Sequence, residues 1–337
     1  LCLLKPAMLI RRMVLLFIIT FDVIRRVTGH SFFMKYRYPA MLHTMPKNLV
    51  IFGGFAIGLI LMVSIYGVLH ARRVYVRQDP VVIEKSSSLP GLKIALIADL
   101  HLGYNSTKSH VRKIADTINS QNVDLVCIAG DLFDNDYDAI KDPDEVADIL
   151  SDIKSRYGTY ACWGNHDVSE KILAGFTFPQ KETIVRDGRF TEFLHHAGIT
   201  MLEDETVCID NAFYLVGRRD KDMAKKEQLP RKTFAEITEP LDPSLPIIVM
   251  DHQPGELSEA SDAGVDLDLS GHTHDGQMFP ANLVVHFLWE NACGVLKKGS
   301  MTSIVTSGAG VWGPAMRVGT NNEVVIANVS FDPATDQ

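Results

Sequence analysis

The chain has 337 residues and a net charge of −8, and this charge is distributed unevenly. Residues 1–77 contain eleven Lys and Arg and one acid, a net +10, so residues 78–337 carry −18. The acidic part excludes non-specific nucleic-acid binding, which needs a basic face, and five cysteines without a CxxC pair give no sign of a disulfide framework. The charge pattern predicts a membrane-facing segment at residues 1–77, followed by a soluble domain.

Residues 49–69 are the clearest candidate for a membrane span. They contain no charged residue, and about 20 apolar residues are enough to cross a hydrocarbon core of ~30 Å. A shorter apolar run near residues 8–24 includes Arg11 and Arg12, so a second span, a re-entrant segment and an interfacial helix all remain open for it. Because Lys and Arg flank residues 49–69 equally, the side of the membrane is not predicted.

Residues 78–92 are predicted to be a linker, and residues 93–332 a folded domain in which strands alternate with helices. Apolar runs predict strands over Leu92–Ala98, Val123–Ala129, Thr159–Trp163, Ile247–Met250 and Val265–Leu269. Helical spacing or helix-start signals predict helices over Lys108–Asn119, Asp144–Tyr157 and Phe190–Ala197. Residues 303–331 resemble short antiparallel strands. This alternation is typical of an α/β fold, in which sites form beyond the carboxyl ends of the strands.

Polar motifs follow five of these segments. They are Asp99-Leu-His101, Gly130-Asp131-Leu-Phe-Asp134, Gly164-Asn165-His166-Asp167, His252 and Gly271-His272-Thr-His274. Each motif alone is weak evidence, but five in order, each after an apolar strand, predict one shared site. The glycines at 130, 164 and 271 are expected to let the chain leave each strand sharply.

The residue types in these motifs indicate metal-dependent phosphoester chemistry. Carboxylate and imidazole together suit Mn, Fe and Zn. Two divalent ions roughly 3.5–4 Å apart supply a nucleophile at neutral pH and a clamp on the phosphate. Ions so close need a shared anionic ligand, most simply one Asp carboxylate. The sequence therefore predicts a two-metal site.

Taken together, the motifs resemble those of the calcineurin-like metallophosphoesterase family. The stretches 270–277 and 307–317 resemble a subgroup of membrane-associated or exported bacterial phosphoesterases, of the YkuE and YaeI type. The resemblance covers about residues 90–332. It implies a four-layer α/β/β/α sandwich, here preceded by a membrane segment, in the inner or plasma membrane of a bacterium.

The resemblance also implies roles for individual residues. The first metal would be held by Asp99, His101 and His274, and the second by Asn165, His252 and His272. Asp131 would bridge the two ions. His166 would stabilise the phosphoryl group or protonate the leaving oxygen, and Asp134 would orient His166. Arg317 is either a contact for a substrate phosphate or a structural residue.

Two questions about function stay open at this stage. The substrate is a phosphodiester, a phosphomonoester or a pyrophosphate, and the membrane segment favours a lipid-linked one; a lipid A enzyme that cleaves UDP-2,3-diacylglucosamine is the alternative. A catalytically silent membrane sensor or scaffold is the alternative of another class, although no predicted ligand is missing. A barrel amidohydrolase is disfavoured, because that family opens rather than closes with HxH.

Overall fold

The computed structural model describes residues 47–170, 172–173, 176–177 and 186–332. Helix α1 (Lys47–His70) contains the span predicted at residues 49–69. Among the described residues, it is the one helix long and apolar enough to cross a membrane, and almost none of that stretch is buried. The second apolar run, near residues 8–24, lies outside the described part. The chain divides after Tyr66, and residues from Gly67 onward form their own compact unit.

The first sheet of this unit has six strands in the order β1-β14-β2-β3-β4-β7. They are β1 (Tyr75–Ile83), β2 (Leu92–Ile97), β3 (Leu125–Ala129), β4 (Thr159–Cys162), β7 (Ile199–Met201) and β14 (Glu323–Phe331). β14 is antiparallel to β2, and every other pair in the sheet is parallel. The predicted strands that end at the first three motifs are therefore neighbours, and their carboxyl ends lie at one edge of the sheet.

Strand β1 differs from the prediction, because it includes residues 78–83 of the expected linker. Only alternate residues of its second half, including Val81 and Ile83, are buried. The strand lies at the edge of the sheet and contains Asp79 and Pro80, residue types that are rare in central strands but accepted at edges. A strand with one buried face and such a composition resembles a linker in sequence.

The second sheet also has six strands, in the order β12-β13-β11-β10-β9-β8. They are β8 (Glu205–Ile209), β9 (Phe213–Gly217), β10 (Ile247–Met250), β11 (Leu267–Ser270), β12 (Gly294–Lys298) and β13 (Met301–Val305). The four central strands are parallel, and the two outer ones pair antiparallel with their neighbours. A short hairpin of β5 (Ile172–Leu173) and β6 (Phe176–Thr177) stands apart from both sheets.

The expected run of short antiparallel strands over residues 303–331 was right in part, since β13 pairs antiparallel with β12 and β14 with β2, but the two strands do not pair with each other. β13 runs parallel to β11 in the second sheet, whereas β14 belongs to the first sheet. An alternating pattern shows that a segment is a strand with one buried face, but it carries no information about which neighbour the strand pairs with or in which direction.

The helices after α1, with the exception of the last one, pack apolar residues against the sheets. They are α2 (Lys108–Ser120), α3 (Pro143–Ser151), α4 (Gly188–His196), α5 (Lys221–Glu227), α6 (Phe234–Thr238), α7 (Leu257–Asp262) and α8 (Ala281–Leu288). In α2, four buried residues recur at helical spacing, and the Thr107 side chain caps the first turn by accepting from the backbone N–H of His110. Helix α3 ends at Ser151, six residues before the predicted end at Tyr157.

Three clusters of buried apolar residues hold these elements together. One joins the first sheet to α2, α3 and α4, and another joins the second sheet to α6 and α7. The remaining cluster contains side chains from both sheets, such as Leu96 and Leu269. This mixed α/β arrangement is compatible with the predicted order of layers. It also brings the ends of the central strands of both sheets to the same region.

Candidate metal centre

The seven predicted ligands gather where β2, β3 and β4 of the first sheet and β10 and β11 of the second sheet end. Five of them have left-handed backbone conformations, namely Asp99, His101, Asp131, His272 and His274, with φ between 44° and 70°. Such conformations are uncommon for residues other than glycine, and they occur mostly at functional sites, at a cost on the order of 1–3 kcal/mol each. The chain therefore turns abruptly at each strand end, which directs the ligand side chains into one space.

The first group of side chains consists of Asp99, His101 and His274, all buried. The Nε2 atoms of His101 and His274 are 3.0 Å apart, and Nε2 of His274 is 3.7 Å from an Asp99 carboxylate oxygen. Two imidazole nitrogens this close, beside a carboxylate, need a proton or a cation between them. These donors fit a divalent ion that prefers nitrogen and oxygen ligands.

The second group contains Asp131, His252 and His272, with Asn165 beside them. Nε2 of His252 lies 3.1 Å from a carboxylate oxygen of Asp131, 3.1 Å from Oδ1 of Asn165 and 3.2 Å from Nδ1 of His272. On the other side of its ring, Nδ1 of His252 donates to the backbone carbonyl of Ala129 at 2.8 Å. This bond fixes the tautomer in which Nε2 has a free lone pair, as a metal ligand requires.

Asp131 lies between the two groups. Its Oδ2 is 3.1 Å from Nε2 of His252 and 3.8 Å from Nε2 of His101, and its Oδ1 accepts from the backbone N–H of His166 at 2.8 Å. One carboxylate is thus in reach of both groups. This is the position that a shared anionic ligand must occupy, although the bridging role itself stays a prediction.

The imidazoles of the centre differ in their tendency to take up a proton. Burial is outweighed by Asp134 at His101 and by Asp131 at His252, so the pKa of both is raised, whereas the pKa of His272 and His274 is lowered. Burial lowers the pKa of His272 to about 3, and burial together with His101 and Arg317 lowers the pKa of His274 well below its usual value. Burial opposes ionisation of Asp131, but neighbouring His252 and His166 outweigh it and lower the pKa of that carboxyl. Neutral imidazoles and an ionised carboxylate are the forms that bind metal ions.

The partner of His166 differs from the prediction. Nδ1 of His166 donates to Oδ1 of Asn135 at 2.5 Å, whereas a carboxylate oxygen of Asp134 lies 3.5 Å from Nδ1 of His101. The side chain bonded to His166 is therefore that of the next residue. Asp134 lies close to both His101 and His166, and its orienting role stays a prediction. The spacing of the motif could not distinguish these adjacent positions, because the distinction depends on which way each side chain points.

The glycines of the motifs serve two different purposes. Gly130 has a left-handed backbone, with a φ of 79°, as the sharp exit from a strand requires. Gly164 and Gly271 have no such φ, but a Cβ on Gly164 would collide with Asp131, and one on Gly271 with Ala98 and Asp99. The expectation of a sharp turn was therefore right for Gly130, whereas the other two glycines allow neighbouring loops to approach each other closely.

Asp167 has a role that the sequence did not reveal. It is buried, and its carboxylate accepts from the backbone N–H of Phe133 at 2.8 Å and from that of Gly164 at 2.7 Å. It thereby ties the loop that carries Asp131 to the loop that carries Asn165. Burial raises the pKa of Asp167 to about 7. Its place directly after His166 was the available signal, since it belongs to the same motif.

The Arg317 side chain is completely buried, and its hydrogen bonds go to other groups of the same chain. Its guanidinium donates to Oδ1 of Asn322 at 2.7 Å, to the carbonyl of His274 at 2.9 Å and to the carbonyl of Gly310 at 2.8 Å. It supports the loop of a predicted ligand from behind. The geometry thus favours the structural alternative over contact with a substrate phosphate.

Comparison with known proteins agrees with this geometry. A sequence model described as calcineurin-like phosphoesterase matches residues 92–276, just over half of the chain and all seven predicted ligands. The chain belongs to the calcineurin-like phosphoesterase family. The family assignment made from the motifs is thus confirmed, whereas the YkuE and YaeI subgroup stays a prediction.

Individual relatives of this phosphoesterase vary in what their names describe. An uncharacterized metallophosphoesterase of Helicobacter pylori is 32% identical over 251 residues, which are 74% of this chain and 62% of that protein. A Danio rerio protein named transmembrane protein with metallophosphoesterase domain is 27% identical, over 78% of this chain and 59% of that protein. The UDP-2,3-diacylglucosamine pyrophosphatase LpxG of Chlamydia muridarum is 24% identical, over 58% of this chain and 67% of that protein. The chain spans about three fifths of the length of the Helicobacter pylori and Danio rerio proteins.

Proposed function

We propose that the chain is a membrane-anchored phosphoester hydrolase that works with two divalent metal ions. The observation that carries this proposal is the position of Asp131, within 3.1 Å of His252 in one group of ligands and 3.8 Å of His101 in the other. Asp99, His101 and His274 would hold one ion, and Asn165, His252 and His272 the other. Such a pair of ions supplies a nucleophile at neutral pH and neutralises charge on the phosphoryl oxygens.

His166 is the residue proposed to act directly on the substrate. Its Nδ1 donates to Asn135, so Nε2 is the atom that can take up a proton and pass it to the leaving oxygen. Burial lowers the pKa of His166 to about 4 in the protein alone. A phosphoryl anion beside the ring raises that pKa, because an opposite charge favours the protonated form. The proton is thus held where the leaving group needs it.

The proposed location is a membrane, in which α1 would anchor the chain. The stretch Ile51–His70 has the length and composition of a span, and the name of the Danio rerio relative describes a transmembrane protein. The bacterial inner or plasma membrane and the lipid bilayer as a partner belong to the same proposal. Non-specific binding to nucleic acid is not part of it, because residues 78–337 are strongly acidic.

The proposed substrate is a phosphodiester or a related phosphoester, and the anchor favours one linked to a lipid. A pyrophosphatase acting on UDP-2,3-diacylglucosamine is the second candidate, supported by the similarity to the Chlamydia protein of that name. A silent scaffold is less well supported, because all seven ligand positions and His166 carry residues able to serve. The proposed ions are manganese, iron or zinc, which accept this mixture of imidazole and carboxylate.

The test uses the full chain in detergent, stripped of metal and reloaded with manganese, iron or zinc. Hydrolysis of bis-p-nitrophenyl phosphate is measured beside that of p-nitrophenyl phosphate and of UDP-2,3-diacylglucosamine, and bound metal is counted. Metal-dependent cleavage with two ions per chain is the expected result, and the ranking of the substrates separates the two candidates. A folded chain without activity in any metal form would favour the scaffold.

A further inference from the structure

Helix α8 and the residue before it expose an unusual amount of apolar surface. The exposed fractions are 63% for Phe279, 55% for Leu283, 53% for Val284, 89% for Phe287 and 73% for Leu288. The stretch 276–289 contains no Asp, Glu, Lys or Arg. Single exposed apolar residues are ordinary, but five large ones clustered within ten residues mark a surface that contacts something apolar. We call Phe279 together with α8 the apolar helix surface.

This surface lies next to the last turn of α1. The backbone of Phe279 donates to the carbonyl of Val318 at 2.8 Å, and a Cβ on Gly67 in the last turn would meet the side chain of Val318 at 2.9 Å. A second link joins His70 to the carbonyl of Thr320 at 3.1 Å. The segment 316–320 therefore connects the apolar helix surface directly to the point where α1 ends.

The surroundings of that point suit a bilayer surface. Arg72 and Arg73 follow α1 directly and are exposed, and basic residues beside a span attract anionic head groups. If α1 crosses the membrane, His70 lies near the interface, and so does the segment 316–320, which is bonded to His70 and to Phe279. A helix of eight residues is about 12 Å long, and interfacial helices bury their apolar face roughly 5–10 Å deep.

We propose that the apolar helix surface docks on the lipid bilayer, as a second membrane contact beside α1. This inference rests on the membrane anchoring proposed above. The bilayer is the occupant best supported, because the surface is uncharged, lies next to the last turn of a membrane-length helix and is accompanied by two exposed arginines. A second copy of the chain covering the same surface is the competing occupant.

Docking there would hold the metal centre at the level of the lipid head groups. Helix α8 begins five residues after Gly276, where the turn that contains His274 ends. At its other end, the Trp289 ring lies 5.4 Å from the ring of His272, and His286 pairs with Asp275 at 2.9 Å. The helix is thus tied at both ends to the loop that carries two predicted ligands, so a phosphoester at the bilayer surface would lie near the centre.

The test introduces a fluorescent reporter into the full chain reconstituted in vesicles of phosphatidylcholine and phosphatidylglycerol. Phe287→Trp places the reporter on the apolar helix surface, and Val82→Trp is the matched control at an exposed position near the far end of β1. Val82 is seven residues from Tyr75, or about 23 Å along an extended strand. Each variant is compared with the parent chain in vesicles with and without lipids brominated near the head group, and flotation shows whether the chain is in the vesicles.

We expect brominated lipid to quench the added emission of Phe287→Trp at least about twofold more than that of Val82→Trp, because only the first reporter enters the interface. Equal quenching of both reporters in chains that float with the vesicles would overturn the docking but not the anchoring. A blue-shifted, unquenched Phe287→Trp in a chain that dimerises would assign the surface to a second copy and overturn the docking as well. A chain that does not float would contradict both.

Discussion

The two sheets contribute unequally to the metal centre. The first sheet supplies both carboxylates among the predicted ligands, Asp99 and Asp131, together with Asn165 and His101. The second supplies only imidazoles, from the ends of β10 and β11. All the negative charge that would hold two cations thus comes from one sheet, whereas the other would complete the coordination with imidazoles alone.

Backbone hydrogen bonds hold the strand ends of both halves, and in the second the backbone N–H of Gly271 donates to the carbonyl of His252 at 3.0 Å. In the first, neighbouring strand ends are bonded to one another, since the backbone N–H of Asp99 donates to Gly130 and that of His101 to Asp131, both at 3.0 Å. The second half is attached across the gap between the sheets, where the backbone N–H of His272 donates to the carboxylate of Asp99 at 3.1 Å. The difference between the halves is therefore one of charge, and the residues of the first half should matter most.

The largest effect is expected from Asp131→Asn. Loss of this carboxylate removes the anionic contact shared by both groups, so bound metal should fall below two ions per chain and turnover by a factor on the order of 10³ or more. His272→Gln removes one neutral ligand of the second half and should cost less. Metal content and hydrolysis of bis-p-nitrophenyl phosphate measure both effects.

The control for Asp131→Asn is Asp116→Asn, which makes the same chemical change at an exposed position on α2. It should leave metal content and turnover unchanged. Near-normal turnover in Asp131→Asn, or an equal loss in His272→Gln, would contradict the prediction that the first half contributes more to metal binding and turnover.

The next largest effect concerns His166 in the first half, where loss of turnover is expected without loss of metal binding. His166→Asn should lower turnover about 10²–10⁴-fold, the usual contribution of a general acid, while both ions remain bound. The measurement is again metal content beside turnover. If this variant loses an ion instead, His166 is a ligand, and its proposed role in proton transfer is wrong.

A smaller loss of turnover is expected from substitution of Asn135, and it should differ in kind from the effect of substituting Asp134. Asn135→Leu removes the acceptor of the His166 bond and should lower turnover about 10–100-fold, as losses behind a functional side chain commonly do. The double variant with His166→Asn should lose no more than His166→Asn alone, because the two residues act through one bond. Asp134→Asn should instead weaken metal binding through His101.

The comparison of Asn135 and Asp134 uses thermal unfolding as a check on folding, since Asn135 also donates to the carbonyl of Val168 at 3.1 Å. Fully additive losses for Asn135→Leu and His166→Asn would contradict the bond as the route of the effect. If only Asp134→Asn were non-additive with His166→Asn, the assignment made from the sequence would be restored.

The smallest effect concerns stability and a buried acid of the second sheet. Burial raises the pKa of Asp268 to about 7, although the hydroxyls of Ser303 and Ser270 donate to its carboxylate. The folded state therefore keeps a proton that the unfolded state releases at lower pH, and stability is lost as pH rises from about 4 to about 7. Asp268→Asn removes this loss and should raise the melting temperature at pH 8 by more than at pH 5.

Thermal unfolding of both forms at the two pH values tests this prediction, and the difference at pH 8 should correspond to a few kcal/mol at most. Turnover at a fixed pH should hardly change, because the hydrogen bonds described for the Asp268 carboxylate come from Ser270 and Ser303, which are not predicted ligands. A gain independent of pH would show that the carboxyl is not protonated in the folded chain.

Much of the site could be predicted because it depends on short contiguous motifs. Each ligand follows an apolar strand within a few residues, and β10 begins and ends at the predicted residues, Ile247 and Met250. The side-chain partners could not be predicted in the same way. Whether His166 meets Asn135 or Asp134 depends on the direction of two neighbouring side chains, which spacing does not determine.

The missed parts of the fold have physical reasons of their own. Strand β1 is an edge strand with charges and a proline, and the hairpin β8–β9 includes an exposed Glu205 and Cys208. Helix α8 has the opposite difficulty, because its sequence is apolar on nearly all sides. A helix of that kind is read as core, yet the structure leaves it exposed. The rule that an all-apolar helix is buried therefore gives the wrong prediction for the surroundings of α8.

Strand β1 has a consequence for any form of the protein that is cut from its anchor. It pairs along its whole length with β14, a nine-residue strand in which five of the first seven residues are apolar and buried, and it presents Arg77, Asp79 and Pro80 at the border of the sheet. Charged residues and proline at a border discourage strand-by-strand growth between molecules. Cleavage after Ile83 would remove β1 and leave β14 as an exposed edge for aggregation, so the segment that follows α1 also keeps the domain from joining its neighbours.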